Sequence, residues 1–242
     1  VKTKFLGNNK ASINSPGSSK ILDPIVRQNQ SSAISGVDYW NAYEFSFLDS
    51  NRHPVLKVVE IVIPSSSART VESKSLKLYL NSFYKKKFEN EADVLLKITK
   101  DLSRLTKSEV KAKFIKNFSF EPKSLNLNKT ALKFTKPKLP ICFSGFRSIC
   151  PVTSQPDFAN IYICTDQKIE VSWLKSYLIS FKEKGEFHEQ CIEDMLNALT
   201  DKYPNSSFEV CGRFMRRGGI DINPIRSNKK TLLFKNFRVF NQ

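Results

Sequence analysis

Several features that would direct this 242-residue chain to a particular class of protein are scarce or missing. No apolar run reaches the roughly 18 to 20 residues that a helix needs to cross a bilayer, so a membrane-spanning helix is not expected. The opening residues, VKTKFLGNNKASINSPGSSK, are basic but hold no apolar stretch that could serve as a signal peptide. The sequence therefore predicts a cytoplasmic protein.

Histidine, cysteine and glycine are also used sparingly. The two histidines, His53 and His188, are too few for a histidine-rich metal site, so no bound metal is expected. The five cysteines are an odd number and none form a CxxC pair, so free thiols are the default. None of the eight glycines forms a GxGxxG turn after a strand. A dinucleotide would therefore not be held by a Rossmann turn.

Positive charge is what the chain has in excess, with 39 Lys and Arg against 23 Asp and Glu and a formal net charge of +16. Such a balance favours anionic partners such as nucleic acid, phosphorylated cofactors or membrane surfaces. The lysines recur along nearly the whole chain, and solubility or a lysine-rich genome is the simpler explanation. Hydrophobic residues make up 40% of the chain, which is enough for a buried core.

The hydrophobic pattern divides the chain into an arm and two similar halves. Residues 1–36 are rich in Ser, Asn, Gln and Gly and predict a flexible N-terminal arm. Residues 37–125 follow the order strand, strand, helix, helix, strand. Residues 126–242 repeat that order after a joint rich in Lys, Pro and Asn, and a last strand is predicted over 232–240. These halves predict an α+β fold in which each module is an antiparallel sheet with a pair of helices on one face.

A loop that could carry covalent chemistry runs over residues 147–158, RSICPVTSQPDF. Prolines on both sides restrict its backbone. Cys150 on a stiff loop, with the carboxyl group of Asp157 seven residues later, suits covalent catalysis. In such a reaction the thiolate attacks an electrophilic carbon and the acid supplies a proton. Spacing alone is also compatible with a buried structural cysteine.

The segment GEFHEQC, residues 185–191, lies at the start of a predicted helix. His188 and Glu189 are adjacent there, and a helix N-terminus is well suited to contacting a polar ligand. A glutamate in this position can accept hydrogen bonds from the ring N–H and the amino group of a guanine-like base. The alternative is a capping carboxylate beside a surface imidazole.

Two further segments suit a phosphate group. In residues 71–79, VESKSLKLY, backbone N–H groups at a helix start are combined with lysines. An ordinary N-cap with solvated lysines is the alternative. In residues 216–224, RRGGIDINP, two arginines precede a Gly-Gly turn at which the backbone can approach a ligand closely. A basic β-turn without a ligand is the alternative.

Together the four segments resemble one family. ESKSLKLYLNSF, residues 72–83, is similar to the signature E-S-K-S-aliphatic-K-L-Y of the QueF family of NADPH-dependent 7-cyano-7-deazaguanine reductases. ICPVT with QPD is similar to the nucleophile loop of that family, EFHEQC to its substrate-binding segment, and RRGGIDINPIRS to its cofactor turn. The resemblance covers residues 38–240 in the two-module order of the family. It implies two tandem tunnelling-fold (T-fold) units, with modules over 37–125 and 126–242.

The resemblance also implies a reaction and a residue for each step. The nitrile of 7-cyano-7-deazaguanine is reduced to 7-aminomethyl-7-deazaguanine with NADPH, in the biosynthesis of queuosine, a modified tRNA nucleoside. By resemblance, Cys150 forms a covalent thioimide with the nitrile carbon, Asp157 protonates the nitrile nitrogen, and His188 assists a later proton transfer. A homodimer without a membrane partner or a required nucleic acid is implied as well.

Binding roles follow from the same resemblance. The substrate-binding residues it implies are Val71, Glu72, Ser73, His188 and Glu189. The residues it implies for contact with NADPH are Ser73, Lys74, Arg217 and Gly218.

Other functions remain open on the residues alone. A nitrilase-type cysteine hydrolase also acts on a nitrile, but it releases acid and ammonia and consumes no NADPH. A type I GTP cyclohydrolase shares the T-fold but needs a zinc site with Cys and His ligands, and only His188 is well placed. A basic RNA-binding module would expose aromatic residues such as Phe118, Phe120 and Phe134. Their alternation in strand-like segments predicts instead that they pack in a core.

Overall fold

The computed structural model describes residues 17–27, 34–135 and 138–242. These residues form a mixed α+β structure, which confirms the predicted class, and their α-helices are α1 (Ser73–Asn81), α2 (Glu91–Thr106), α3 (Val171–Ser180) and α4 (His188–Lys202). They divide into two compact units. The first contains residues 17–27, 39–117 and 216–221, and the second contains residues 34–38, 118–135, 138–215 and 222–242. No helix over these ranges is long and apolar enough to span a membrane.

The strands that belong wholly or mainly to the first unit are β1 (Pro24–Val26), β2 (Ser35–Leu48), β3 (Pro54–Pro64), β4 (Arg69–Val71) and β5 (Lys111–Ile115). β3 pairs antiparallel with β5, with Val58 opposite Ile115 and Val62 opposite Lys111. β2 lies on the other side of β3, so the order is β5-β3-β2. The alternation of Tyr43, Phe45 and Phe47 is therefore that of a strand, as predicted.

Capping interactions set both ends of helix α2 in the first unit. Asn90 caps α2 by accepting a hydrogen bond from Asp93 N–H at 2.9 Å, and Lys107 ends it in the left-handed conformation with φ of 56°. The apolar faces of α1 and α2 pack against the sheet. The aromatic rings that contact one another there are those of Phe45, Phe47, Phe83, Phe88 and Phe114. Phe45, Phe47 and Phe83 are buried, and full burial of such a ring contributes about 1.5–3 kcal/mol.

Part of the predicted flexible arm is folded in the structure. Residues 1–16 and 28–33 of that arm lie outside the described residues, whereas 17–27 contain a 3-10 turn (Ser19–Ile21) and strand β1. β1 pairs antiparallel with β4, and Asp23 N–H donates to Ser75 Oγ at 3.0 Å. Ile21, Leu22 and Ile25 are buried. The Ser- and Asn-rich composition of the arm hides this stretch, because its four apolar residues are too few to show a period.

The second unit contains β6 (Leu125–Asn126), β7 (Phe134–Thr135), β8 (Ile141–Ile149), β9 (Pro156–Thr165), β10 (Ile169–Glu170), β11 (Phe208–Phe214) and most of β12 (Ile220–Ser227). Its main strands follow the order β12-β11-β9-β8-β6. Within this order, the pairs β12–β11, β11–β9 and β9–β8 are antiparallel, as predicted, and the short β6 runs parallel to β8. The register of β8 and β9 sets Ser148 opposite Asp157.

Helices α3 and α4 cover one face of this sheet. Their buried residues join those of β8, β9 and β11 in one hydrophobic core that includes Phe146, Ile161, Leu174, Ile192 and Phe214. Helix α4 packs closely on the sheet at Gly212, where an added Cβ would lie 2.8 Å from Ile192 Cδ1 and 2.7 Å from Phe214 Cε2. Close packing of α4 on β11 therefore depends on a glycine at this position.

The prediction of a last strand over 232–240 is wrong. The final regular strand is β12, and the segment after it makes an isolated bridge, Phe237 with Ser119. Its backbone is held by a side chain instead of a neighbouring strand, because the Glu209 carboxylate accepts hydrogen bonds from Leu233 N–H and Phe234 N–H, each at 2.7 Å. Apolar residues of this segment are buried without a strand, so their spacing misled the prediction.

Two aromatic residues expected in the core are exposed. Phe120 is 99% exposed and Phe134 is 41% exposed. Both lie in the joint rich in Lys, Pro and Asn, near residues 117–140, where the strands β6 and β7 are only two residues long. Lys133 and Lys168 place their ammonium groups over the Phe134 ring, at 5.7 and 4.8 Å from its centroid. An apolar ring in this short-stranded region is therefore covered in part by lysine side chains.

Candidate active site

Cys150 begins a tight loop between the two longest strands of the second unit. β8 ends at Ile149, and the loop closes with Cys150 N–H donating to Gln155 O at 2.8 Å and Ser154 N–H donating to Cys150 O at 3.0 Å. Ser154 adopts a left-handed conformation with φ of 57°. Cys150 itself is partly exposed. The loop therefore presents a thiol on a backbone that prolines and internal hydrogen bonds both restrain.

The same loop is joined to the segment that leads into α4. Ile149 N–H donates to Lys184 O at 2.9 Å, and Glu186 N–H donates to Ile149 O at 3.1 Å. His188 follows two residues later as the first residue of α4. The predicted helix start at this segment is therefore confirmed. The two hydrogen bonds bring the Cys150 loop and the FHE segment together within one unit.

Asp157 and His188 meet beside this loop. His188 Nε2 lies 3.2 Å from Asp157 Oδ2, and the two side chains are only 14% and 9% exposed. His188 also stacks on the ring of Phe214. Its other nitrogen, Nδ1, is buried and has no hydrogen-bond partner within the described ranges. An imidazole and a carboxyl group in contact at a shielded position can transfer a proton between them.

Glu189 is the second residue of α4 and is 7% exposed. Its carboxylate lies in the first turn of the helix, where the peptide dipoles favour negative charge. Phe187, which precedes the helix, makes no side-chain cap. A carboxylate at this place suits a ligand that donates hydrogen bonds, because a buried carboxylate is stabilised by the hydrogen bonds that it accepts.

A charged network supports the segment that carries Glu186. Lys184 Nζ lies 2.9 Å from Glu186 Oε1 and 2.6 Å from Asp194 Oδ2, and Gln190 Nε2 donates to Asp194 Oδ1 at 2.7 Å. Burial raises the pKa of Glu186, and the neighbouring Asp194 raises it further. Burial acts against ionisation of Asp194 too, but hydrogen bonds from Lys184 and Gln190 lower the pKa of Asp194. One cation thus bridges two carboxyl groups next to the Cys150 loop.

The other predicted binding residues lie in the first unit, at the start of α1. Glu72 is fully buried and is the N-cap, accepting from Lys74 N–H at 2.6 Å and Ser75 N–H at 2.7 Å. Ser73 and Lys74 are half-buried on the first turn. Val71 is buried and pairs with Pro24 across β4 and β1. The carboxylate of Glu72 therefore fixes the helix start from which Ser73 and Lys74 project.

The Gly-Gly turn lies against the same helix. Gly218 and Gly219 have φ of 57° and 77°, values that side-chain-bearing residues rarely adopt. An added Cβ on Gly218 would lie 3.3 Å from Lys77 Cδ, and one on Gly219 would lie 2.7 Å from Glu44 Oε2. The surface cleft at this turn is lined by Ala42, Glu44, Phe45, Lys77, Leu80, Asn81, Gly218, Gly219 and Ile220.

The groups at this turn suit the phosphates of a dinucleotide, although the chain has no Rossmann motif. The backbone is bare at Gly218, Arg217 is exposed beside it, and Lys77 lies on α1 one turn after Lys74. Bare backbone, guanidinium and ammonium groups are the donors that bind phosphate. Ser73, Lys74, Arg217 and Gly218 could therefore hold the phosphates of NADPH.

Comparison with known proteins assigns the family. A family model described as "Nitrile reductase, 7-cyano-7-deazaguanine-reductase N-term" matches residues 18–114, and one described as "QueF-like protein" matches residues 156–232. A relative from Buchnera aphidicola subsp. Schizaphis graminum is 36% identical over 81% of this chain and 83% of its own length. It is named NADPH-dependent 7-cyano-7-deazaguanine reductase.

Two further relatives carry the same name. The one from Coxiella burnetii (strain Dugway 5J108-111) is 35% identical over 86% of this chain and 82% of its own length. The one from Bordetella avium (strain 197N) is 34% identical over 86% of this chain and 87% of its own length. The chain belongs to the QueF family of nitrile reductases. The predicted resemblance is confirmed, and the two units of antiparallel sheet and paired helices are its tandem T-fold units.

Sequence reasoning missed three residues that shape this QueF-family site. Phe214 contacts His188 through its ring, and Lys184 and Asp194 brace the segment between the cysteine loop and α4. Phe214 alternates with apolar residues of a strand, so its position predicted only a core residue. Lys184 and Asp194 are ten residues apart, on either side of a helix start, and no periodic pattern links them.

Proposed function

We propose that the chain reduces the nitrile of 7-cyano-7-deazaguanine to 7-aminomethyl-7-deazaguanine with NADPH, in queuosine biosynthesis, through a thioimide on Cys150. The observation that carries the proposal is the joining of the Cys150 loop to the FHE segment by two backbone hydrogen bonds. It brings a nucleophile, a proton-transferring pair and a buried carboxylate into one unit. Membership of the QueF family supports the same reaction.

The first step is addition of the Cys150 sulfur to the nitrile carbon. The S–C bond forms from the thiolate of Cys150 as one C–N π bond breaks, and the nitrogen takes a proton from Asp157. The Asp157–His188 contact of 3.2 Å supports this role, because the imidazole can return a proton to the carboxylate. The product is a thioimide on Cys150.

NADPH supplies a hydride to carbon in each of the two reductions that follow. After the first, the C–S bond breaks with its electron pair going to sulfur, so Cys150 leaves as a thiolate and the carbon is freed as a protonated imine. His188 assists protonation of the nitrogen. The nitrogen gains its second proton at the first reduction, by transfer from solvent through the Asp157–His188 pair, and the second hydride then gives the neutral amine. The covalent intermediate must stay shielded from water, because a thioimide that is exposed to water would hydrolyse.

Binding is assigned to two sets of side chains. Glu189 and His188 contact the deazaguanine base, whose ring N–H and amino group suit the buried carboxylate. By resemblance, Val71, Glu72 and Ser73 contact the base as well. Ser73, Lys74, Arg217 and Gly218 hold NADPH, in keeping with the bare backbone and basic groups at the Gly-Gly turn.

The remaining features of the proposal follow from the family resemblance. The module over 37–125 carries the ESKS segment, and the module over 126–242 carries the nucleophile loop, with a 1–36 arm before them. The enzyme is a cytoplasmic homodimer that needs no nucleic acid for activity. Sedimentation equilibrium of the purified full chain tests the dimer, and a monomer at micromolar concentration would contradict it.

Intact-mass measurement tests the reaction directly. The protein mixed with 7-cyano-7-deazaguanine alone is expected to gain the mass of one substrate molecule, and addition of NADPH is expected to release it with loss of NADPH absorbance. Both signals should vanish in Cys150→Ala and persist in the matched control Cys164→Ala. An adduct that hydrolyses without NADPH consumption would identify a nitrilase instead, and the absence of an adduct would contradict the proposal.

A further inference from the structure

Arg216, the first arginine of the RRGG segment, has a defined position that the proposed cofactor contacts do not use. It is exposed, and its guanidinium carbon lies 5.3 Å from the centroid of the Tyr43 ring. Over the described ranges no carboxylate lies within ion-pair distance of it. The arginine is therefore held against an aromatic face while its N–H edge is left for an anion.

The aromatic ring beneath Arg216 is itself fixed. Tyr43 O–H donates to Asp221 Oδ2, and Asn41 Nδ2 donates to Asp221 Oδ1 at 2.8 Å. Asp221 and Asn41 are both 1% exposed. A buried carboxylate thus anchors the phenol, and the phenol ring supports the guanidinium. Restricting the arginine before a ligand arrives reduces the conformational entropy lost on binding.

The backbone at Arg216 is tied to the cofactor turn. Arg217 N–H donates to Ile220 O at 2.8 Å, and Tyr43 N–H donates to Gly219 O at 2.9 Å. Tyr43 therefore supports the Arg216 guanidinium with its ring and binds the Gly-Gly turn with its backbone N–H. Arg216 sits one residue before Arg217 and two before Gly218, so a ligand on the turn has the guanidinium within reach.

We propose that Arg216 binds the 2′-phosphate of NADPH and so sets the preference for NADPH over NADH. The inference rests on the proposed function. The 2′-phosphate is the group that distinguishes the two cofactors, and an arginine beside the ribose is a common way to accept it. The planar guanidinium fork matches a phosphate with paired hydrogen bonds. The carboxylate of Glu44 lies against Gly219, so the phosphate is disfavoured at that end of the cleft.

Calorimetric titration with NADP⁺ and NAD⁺ tests the inference without turnover. Arg216→Ala is expected to weaken NADP⁺ binding by roughly 10- to 100-fold, the loss of a charge-assisted hydrogen-bond pair, and to leave NAD⁺ binding within about twofold. Arg104→Ala removes the same charge from an exposed position on α2 and should change neither. Tyr43→Leu should reproduce part of the effect, because it removes the ring that supports the guanidinium.

Steady-state kinetics separate the two proposals. In Arg216→Ala, kcat/KM for NADPH should fall by the same roughly 10- to 100-fold factor while that for NADH holds. Formation of the covalent adduct, which precedes cofactor use, should be unchanged. If Arg216→Ala lost kcat/KM equally with NADPH and NADH, or bound NADP⁺ with wild-type affinity, the role of Arg216 would be overturned and the proposed reductase activity would be unaffected. A wild-type protein that binds neither cofactor would overturn it too, whereas absence of the adduct bears on the proposed reaction alone.

Discussion

The imidazole of His188 lies flat on the phenyl ring of Phe214, with ring centroids 3.9 Å apart and planes 6° apart. Asp157 holds the same imidazole at Nε2, so one contact acts on its edge and the other on its face. Phe214 is itself held by its backbone, because Gln242 Nε2 donates to Phe214 O at 2.9 Å. The phenyl ring therefore sets the plane in which His188 points towards Asp157.

Replacement of Phe214 by leucine should lower turnover more than it lowers substrate affinity. Leucine keeps the site apolar but gives the imidazole no flat surface, so we expect kcat to fall by about 10-fold, as for a small misplacement of a catalytic group. KM for the nitrile should stay within about twofold because Glu189 is untouched.

Phe208→Leu is the matched control for Phe214→Leu. Phe208 is buried at the other end of β11, so both variants lose a core ring and should lose about 1–2 kcal/mol of unfolding free energy in urea. Only Phe214→Leu should lose turnover. Equal kcat in the two variants would show that Phe214 serves stability alone.

Asp157→Asn should abolish most of the proton supply without disturbing the fold. Asparagine keeps the shape of the side chain but cannot donate an acid proton, so kcat and the rate of adduct formation should both fall by about 100- to 10,000-fold. Asp166→Asn, just beyond the other end of β9, is the control and should retain activity. Rapid mixing with intact-mass detection measures the adduct rate. A wild-type rate in Asp157→Asn would require another acid.

The helices were the most predictable part of the fold. α2 and α4 carry apolar residues at helical spacing along their whole length, so periodicity alone predicts them. Helix α1 was predicted as well, but its cap was not, since Ser73 and Ser75 offer the usual capping hydroxyls and Glu72 performs the role. The buried carboxylate accepts both backbone N–H groups, an outcome that depends on burial and not on local sequence.

The ends of the chain were less predictable, because long-range contacts decide them. β12 was not predicted, because the prediction for the RRGGIDINP segment was only a turn at its two glycines. The segment after it owes its position to Glu209, a residue more than 20 positions earlier in the chain. The alternation of apolar and polar residues along a segment cannot show that its backbone is bound by a side chain, here that of Glu209, and not by a neighbouring strand.

The candidate site also has a part that the sequence predicts and a part that it does not. Motif similarity predicted the identities of Cys150, Asp157, His188 and Glu189, because each lies in a short contiguous segment. The stacking of His188 on Phe214 joins residues 26 positions apart by number and arises only from the pairing of β9 with β11 and the packing of α4. Such a contact leaves no local signal in the chain.

Loss of the Lys184 ammonium group should destabilise the protein more at neutral than at acid pH. Glu186 has a pKa raised above its ordinary 4.5, so the stability from its protonated form is present below that value and is lost as the pH rises through the raised pKa. Lys184 contacts both carboxyl groups and attracts their ionised forms, which become more populated as the pH rises, so its loss matters more at neutral pH. The lowered pKa of Asp194 matters only below its ordinary 3.8, outside this window.

We therefore expect Lys184→Gln to lower the unfolding free energy by about 1 kcal/mol at about pH 7.5, and by less at about pH 5. Lys182→Gln removes an equal charge from an exposed neighbour and should have little effect at either pH. Urea denaturation at both values measures the difference. A loss that is larger at the acid value would contradict the coupling of Glu186 with Asp194.

Alkylation should distinguish Cys150 from the other thiols. Cys150 and Cys164 are both partly exposed, but burial, with Glu209 and Cys211 nearby, raises the pKa of Cys164 to about 12. Since the thiolate is the reactive form, Cys164 should remain unmodified by iodoacetamide at about pH 8, whereas Cys150 reacts first. Cys142, Cys191 and Cys211 are buried and should react only on unfolding.

The pH dependence of this labelling provides the check. The rate at Cys164 should rise about 10-fold for each unit of pH as its pKa is approached, because the thiolate fraction grows by that factor. Peptide mapping by mass spectrometry assigns each modified thiol, and 7-cyano-7-deazaguanine should protect Cys150 but not Cys164. Equal labelling of the two cysteines at about pH 8 would argue against a distinct reactive thiol on the loop that follows β8.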